Sequence, residues 1–313
     1  YAKESGIKIF AWYTPFDQGP VSLLSDEPCG GLTCDFLKQN PQFQMVSRDG
    51  KEYFKGVPCF AYPEVQAYHL AIVKELLGYG VDGLYLPLGS HSNWAASEDH
   101  LDFGYNQPVV DEYKRRYGID IRKDKFDVFQ WGRLRGKYLT EFFRMARREA
   151  QKYGAKVESS GGGGLGSYGD FNYQYCWLHF DWETWAKEDL IDHLVVGGAD
   201  CTTVPLGWYH STMRYYDPSG KVFVQKKEHY RRKLGKAKLY TGVCVWDWQA
   251  PEGRTSPSQS KRPEEMKNIL ETFKQLAFDG VILHEAINLE PEFGNLWETV
   301  AGSTESSSLR LET

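Results

Sequence analysis

The stretch PEVQAYHLAIVKELLGYGVDGLYLPL, residues 63–88, decides how the chain is read. Proline opens a helix well, because its fixed φ suits the first turn and its missing N–H has no partner there anyway. Apolar residues then recur at helical spacing as far as Tyr79. Gly80-Val81-Asp82-Gly83 turns the chain directly into residues 84–88, which are apolar without alternation. Such a strand is buried on both faces, as in a parallel sheet. A helix passed to a buried strand through one short turn is half of a βα repeat.

The same pattern recurs along the chain. Strands are expected at 7–13, 155–159, 194–196, 238–246 and 281–283. Helices are expected at 108–117, 129–153, 180–189 and 263–278, with another closing at 230–234. About six βα units emerge, which makes the class α/β. A doubly wound open sheet and a (β/α)8 TIM barrel both fit. The barrel is favoured because loops after strands are long, loops after helices are short, and polar and aromatic residues collect just past the strands. No G-x-G-x-x-G opens an early helix, and Gly161–Gly164 lacks the Lys-Ser/Thr of a phosphate loop. Closure needs all eight strands, so the barrel is expected to miss one or two N-terminal strands in this chain. Residues 1–300 read as the barrel domain, 301–313 as a flexible polar tail, and 14–60 as a long irregular stretch.

Composition narrows the function. The 313 residues carry a formal net charge of −5, with 41% hydrophobic and 25% charged residues. Basic residues form only short runs, so nucleic acid is not an expected partner. No stretch is long and apolar enough to span a membrane, and no signal peptide is visible. Aromatic residues reach 15%, with 10 Trp and 20 Tyr. Flat rings with polar edges suit sugar binding, since they stack on apolar pyranose faces. Cys29 and Cys34 flank a Gly-rich turn and could pair in an oxidising compartment.

In barrels the chemistry sits where strands end. The exits here are Trp12-Tyr13 with Asp17 close behind, then Ser90 to Trp94 with His91 and Asn93, then Glu158-Ser159-Ser160. Further on come Trp246-Asp247-Trp248 and His284-Glu285. Glu158 and Glu285 are carboxylates on separate strands of one expected mouth. Hydrolysis of a glycosidic bond needs two: a general acid, and a nucleophile or base. Glu285 is read as nucleophile or base and Glu158 as acid, with the reverse assignment open. Trp12, Tyr13, Trp94, Trp246 and Trp248 are candidate stacking platforms. His91, Asn93, Asp17, Asp247 and His284 are candidate substrate contacts. Trp182, in FDWETW, lies either at a helix start led by Asp181 or on a cleft wall. No H-E-x-x-H or similar spacing appears, so neither a metal nor another cofactor is expected.

The chain resembles the bacterial family-10-like glycosyl hydrolases. The resemblance is carried by YGVDGLYLPLGSHSN, DFGYNQPVVDEYKRRYGIDI, FQWGRLRGKYLTEFFRMARREAQKYG, FDWETWAKEDLIDHLVV and GVILHEAINLE, and runs from about Ser5 to Glu290. It implies a barrel acting on a polysaccharide or glycoside, in a secreted or cell-envelope bacterial protein. It also brings in Asn106 of Gly-Tyr-Asn as a substrate contact or a turn former. One departure concerns Pro87-Leu88-Gly89, where many relatives carry a carboxylate or an Arg. The alternatives are a catalytically silent glycan-binding barrel and a metal-dependent hydrolase of another bond.

Overall fold

Helices in this chain end so as to launch strands, and that local rule builds the architecture. Helix α4 (Val128–Lys152) is followed by Gly154 at φ 65, α5 (Trp182–Lys187) by Asp189 at φ 53, and α7 (Pro263–Gln275) by Ala277 at φ 56. In each case the next N–H turns back five residues. Ala155 donates to Ala150 O, Leu190 to Trp185 O and Phe278 to Phe273 O. This six-to-one closure around a left-handed residue is the Schellman stop. At α7 the rings of Phe273 and Phe278 meet at 5.8 Å, the apolar contact that accompanies the motif.

An aspartate then ties the incoming strand to the start of its neighbour. Asp82, Asp192 and Asp279 precede strands β4 (Gly83–Leu86), β8 (His193–Val196) and β13 (Gly280–His284). Their carboxylates accept the backbone N–H of Ile9, Val157 and Leu239 at 2.9, 2.9 and 2.8 Å. Each also binds a cation, respectively Lys8, Arg147 and Arg231. N–H groups at or just before the starts of the neighbouring strands are thereby satisfied.

The computed structural model describes residues 7–16, 18–19, 33–87, 101–160, 171–172, 176–196, 202–204, 207–210, 215–217, 221–244, 263–284 and 310–312. It divides into two compact units, Tyr1–Gly163 with Ser167–Asp192, and Gly164–Gly166 with His193–Thr313. In the first unit β1 (Phe10–Trp12), β4 and β5 (Lys156–Ser160) are parallel neighbours. Helices α2 (Pro63–Gly78) and α4 cover them, while α3 (Gln107–Tyr117) packs on α4. Leu84, Leu86, Val157 and Ser159 have no exposed surface. The core continues through Trp131, Leu139, Phe142, Phe143, Ala146 and Ala150 of α4, all fully buried. Asp127 caps α4 by accepting from Phe129 N and Gln130 N.

Within the stretch 14–60 that reads as irregular, residues 33–60 hold regular structure. They hold a short helix α1 (Asp35–Gln39), a 3-10 turn (Pro41–Phe43), and an antiparallel pair β2 (Gln44–Val46) and β3 (Tyr53–Pro58). The hairpin turns at Asp49-Gly50, with Gly50 at φ 78 and Asp49 accepting from Lys51 N and Ser47 Oγ. That Asp-Gly turn is the available sequence signal for it. Cys34 is a free thiol at the start of α1, and Cys29 lies outside the described residues. A small pair, β6 (Phe171–Asn172) and β7 (Leu178–His179), is also antiparallel. Helix α4 approaches β7 at Gly136, where a Cβ would stand 2.2 Å from His179 O.

In the second unit β8, β12 (Lys238–Cys244), β13 and β14 (Arg310–Glu312) run parallel in that order. Strands β9 (Thr202–Val204), β10 (Gly207–His210) and β11 (Tyr215–Asp217) form an antiparallel sheet, and α6 (Lys221–Lys233) precedes β12. Strand β14 falls in the stretch read from sequence as a loose tail. The class is α/β, and the parallel strand–helix repeats are those of a partial (β/α)8 barrel with fewer than eight parallel strands among the described residues.

Candidate functional site

Parallel pairing puts residues in register on the same face of a sheet. Trp12 pairs with Tyr85, and Tyr85 with Glu158. Two aromatic rings and a carboxylate therefore form one rung across β1, β4 and β5, near the C-terminal ends of these strands. The rung below runs Phe10, Gly83, Lys156. The Phe10 ring fills the space over Gly83, and a Cβ there would stand 2.2 Å from it. The lower layer is thus packed, and the upper rung lies on top of it.

Exposure grades along that rung. Glu158 is 2% exposed, Tyr85 8% and Trp12 46%. The Trp12 and Tyr85 rings meet edge to face, with centroids 5.1 Å apart and planes at 82°. Such a pair prefers this geometry because the positive ring edge meets the negative face. Beyond Glu158, Ser159 turns to the opposite face and donates its hydroxyl to Leu86 O at 3.0 Å. Glu158 is thus a buried carboxylate held on a strand, beside rings that become progressively open to solvent.

Three candidates from the sequence belong to the packing instead. Tyr13 lies against α2, where its hydroxyl hydrogen-bonds His69 Nδ1. Burial raises the Tyr13 pKa, with Tyr68 adding to the shift. The same burial pushes His69 down to about 3. Asn106 is 1% exposed, and its amide is committed to β2. It accepts from Val46 N at 3.2 Å and donates to Gln44 O at 2.7 Å. It is a structural anchor at the start of α3. Trp182 has no exposed surface and sits at the start of α5, where Asp181 accepts from Thr184 N. An indole with no open face cannot stack on a sugar, so Trp182 is a core residue and not a cleft wall.

His284 ends β13 in register with Cys244. Glu285, Asp17, His91, Asn93, Trp94, Trp246, Asp247 and Trp248 lie outside the described residues. Tyr85 was not singled out from the sequence. Its signal was its place between Leu84 and Leu86, since alternation in a strand sends it to the opposite face. Among the described residues no cluster of three His, Cys, Asp or Glu side chains could hold a metal, and no helix is long and apolar enough to cross a membrane.

No family model and no curated protein matches the chain. Solved structures do. The PgaB (BpsB) glycoside hydrolase domain from Bordetella bronchiseptica is similar at a TM-score of 0.59 and 15% identity, over 98% of this chain and 77% of that one. The β-galactosidase from the psychrophilic Marinomonas ef1 is similar at a TM-score of 0.53 and 12% identity, over 90% of this chain and 50% of that one. At these identities the likeness is one of fold. The chain shares its fold with glycoside hydrolase domains.

Proposed function

We propose that the protein is a glycoside hydrolase acting on a polysaccharide or oligosaccharide through two carboxylates. The observation that carries this reading is Glu158, a carboxylate 2% exposed on the strand face it shares with Tyr85 and the half-open Trp12. A carboxylate is rarely this buried on a strand face, and a general acid needs a carboxyl kept away from bulk water. The fold shared with glycoside hydrolase domains supports the reading. So does the resemblance to the family-10-like glycosyl hydrolases, which also suggests a secreted or cell-envelope setting. Glu158 takes the role of general acid. Glu285, directly after β13, takes that of nucleophile or base on sequence grounds.

The test is release of reducing ends from a panel of polysaccharides by the wild type, Glu158→Gln and Glu285→Gln. Loss of general acid–base catalysis lowers rates by about 10²–10⁴-fold. Near-full activity in both variants would overturn the assignment.

A further inference from the structure

We infer that the second unit carries, at the N-terminal ends of β12 and β13, a docking surface for an acidic polysaccharide. Such docking goes beyond the hydrolase reading and needs no catalysis. Charge is the first observation. Residues 221–238, which form α6 and the turn into β12, hold eight Lys and Arg and a single acid, Glu228, in a chain whose formal net charge is −5. The last turn of a helix favours cations, because the helix dipole is negative there. That accounts for Arg231, Arg232 and Lys233. It does not account for Lys236 and Lys238, which lie past the helix, or for Lys226 and Lys227, which lie before its last turn.

The second observation is how these cations are engaged. Lys227 donates to Leu276 O at 2.7 Å and pairs with Glu228 at 2.8 Å. Arg231 pairs with Asp279 at 2.7 Å and donates to Ala277 O. These two side chains hold the end of α7. Arg232 and Lys238 make no hydrogen bond or ion pair among the described residues. Lys227 first, then Arg232 and Arg231, hold the Glu228 carboxyl below its ordinary range. The one acid of the segment thus lies in a positive field.

Shape and polarity select the partner. An open cleft of 590 Å³ is lined by Lys227, Arg231, Lys238, Phe278 and Asp279. Clefts of that size take ligands of a few rings, so this one admits a single extended sugar chain and not a nucleic-acid duplex. Among the described side chains of this unit no large apolar one is exposed. A bilayer is gripped by buried apolar side chains as well as by charge, and a protein interface has an apolar core. A hydrated polyanion needs only the positive field. Strand β12 runs seven residues from Lys238 to Cys244, about 20 Å, and Cys244 is in register with His284 at the far end of β13. A polymer held at Lys238 therefore leaves those strand exits open.

The experiment is isothermal titration of the full chain with polygalacturonate and with dextran sulfate, at about 50 mM and about 300 mM salt, since salt screens exposed charges. Neutral dextran, duplex DNA and phosphatidylserine vesicles are the comparisons. At least one acidic polysaccharide should bind at low salt and tenfold or more weakly at high salt, and dextran should not bind. Arg232→Gln with Lys238→Gln should weaken binding about tenfold. Arg232→Gln alone, at an exposed position, should weaken it by less with no change in melting temperature, and Arg232→Lys should bind as the wild type does. Lys51→Gln with Lys123→Gln removes two exposed cations of the first unit and should leave binding unchanged. Binding of neither acidic polysaccharide, equal losses in the two double variants, or tighter binding of DNA or of vesicles would each overturn the inference.

Discussion

Asp192 Oδ2 accepts the backbone N–H of Val157 at 2.9 Å and, at the same oxygen, a hydrogen bond from Arg147 of α4. One carboxylate thus ties the start of β5 to the helix packed on it. Asp192→Ala leaves the Val157 N–H and a largely buried guanidinium without their acceptor. The expected loss is about 1–3 kcal/mol, the cost of unsatisfied buried donors. Urea unfolding measures it. Arg147→Ala added to Asp192→Ala should cost less than Arg147→Ala alone, because the two share one interaction.

Ala277 ends α7 at φ 56, a region that costs an L-residue about 1–2 kcal/mol and glycine almost nothing. Ala277→Gly relieves that strain but frees the unfolded chain by about 0.4–1 kcal/mol. The strain term is the larger, so the variant should be more stable by roughly 0.5–1 kcal/mol. A lowered melting temperature would contradict the helix stop described for α7.

Two tryptophans separate packing from surface. Trp182 is fully buried, whereas Trp12 is half open. Trp182→Ala should cost about 3–5 kcal/mol, as large-to-small changes in a core do. Trp12→Ala loses its edge-to-face contact with Tyr85 and, at a half-exposed position, should cost about 1 kcal/mol. Comparable losses in denaturant unfolding would mean that Trp12 is no surface platform.

His69 is held neutral by burial, with its pKa lowered from 6.5 to about 3. The unfolded chain therefore binds a proton that the folded chain refuses between those two values. This group's contribution is complete above pH 6.5. It falls by up to about 1.4 kcal/mol per pH unit as the pH drops toward 3. His69→Gln removes that dependence, though it also loosens the contact with Tyr13. The stability advantage of the wild type over the variant should shrink steadily from pH 6.5 to 4, followed by urea titrations at each pH.

Much of the fold was legible because it is written locally. Gly80-Val81-Asp82-Gly83 announces its own helix stop and strand start, and residues 63–78 carry their helical spacing openly. The β2–β3 hairpin was missed because its one cue, Asp49-Gly50, lies in a stretch otherwise rich in loop formers. The pairing of Arg310–Glu312 with β13 had no cue, since a strand of three residues is made by its partner.

The sequence by itself determined the α/β class, the order of six parallel strands with the main helices between them, and Glu158 as a carboxylate carried by one of those strands. These follow from periodicity, turn chemistry and breaks in apolar runs, which act over a few neighbours. Only the tertiary structure decided which rings share a face with that carboxylate. It sent Tyr13 to His69, Asn106 to β2 and Trp182 to the core, and it brought Tyr85 between Trp12 and Glu158. Register between strands far apart in the chain is set by packing across the whole sheet. A list of strand ends gives the candidates but not their neighbours.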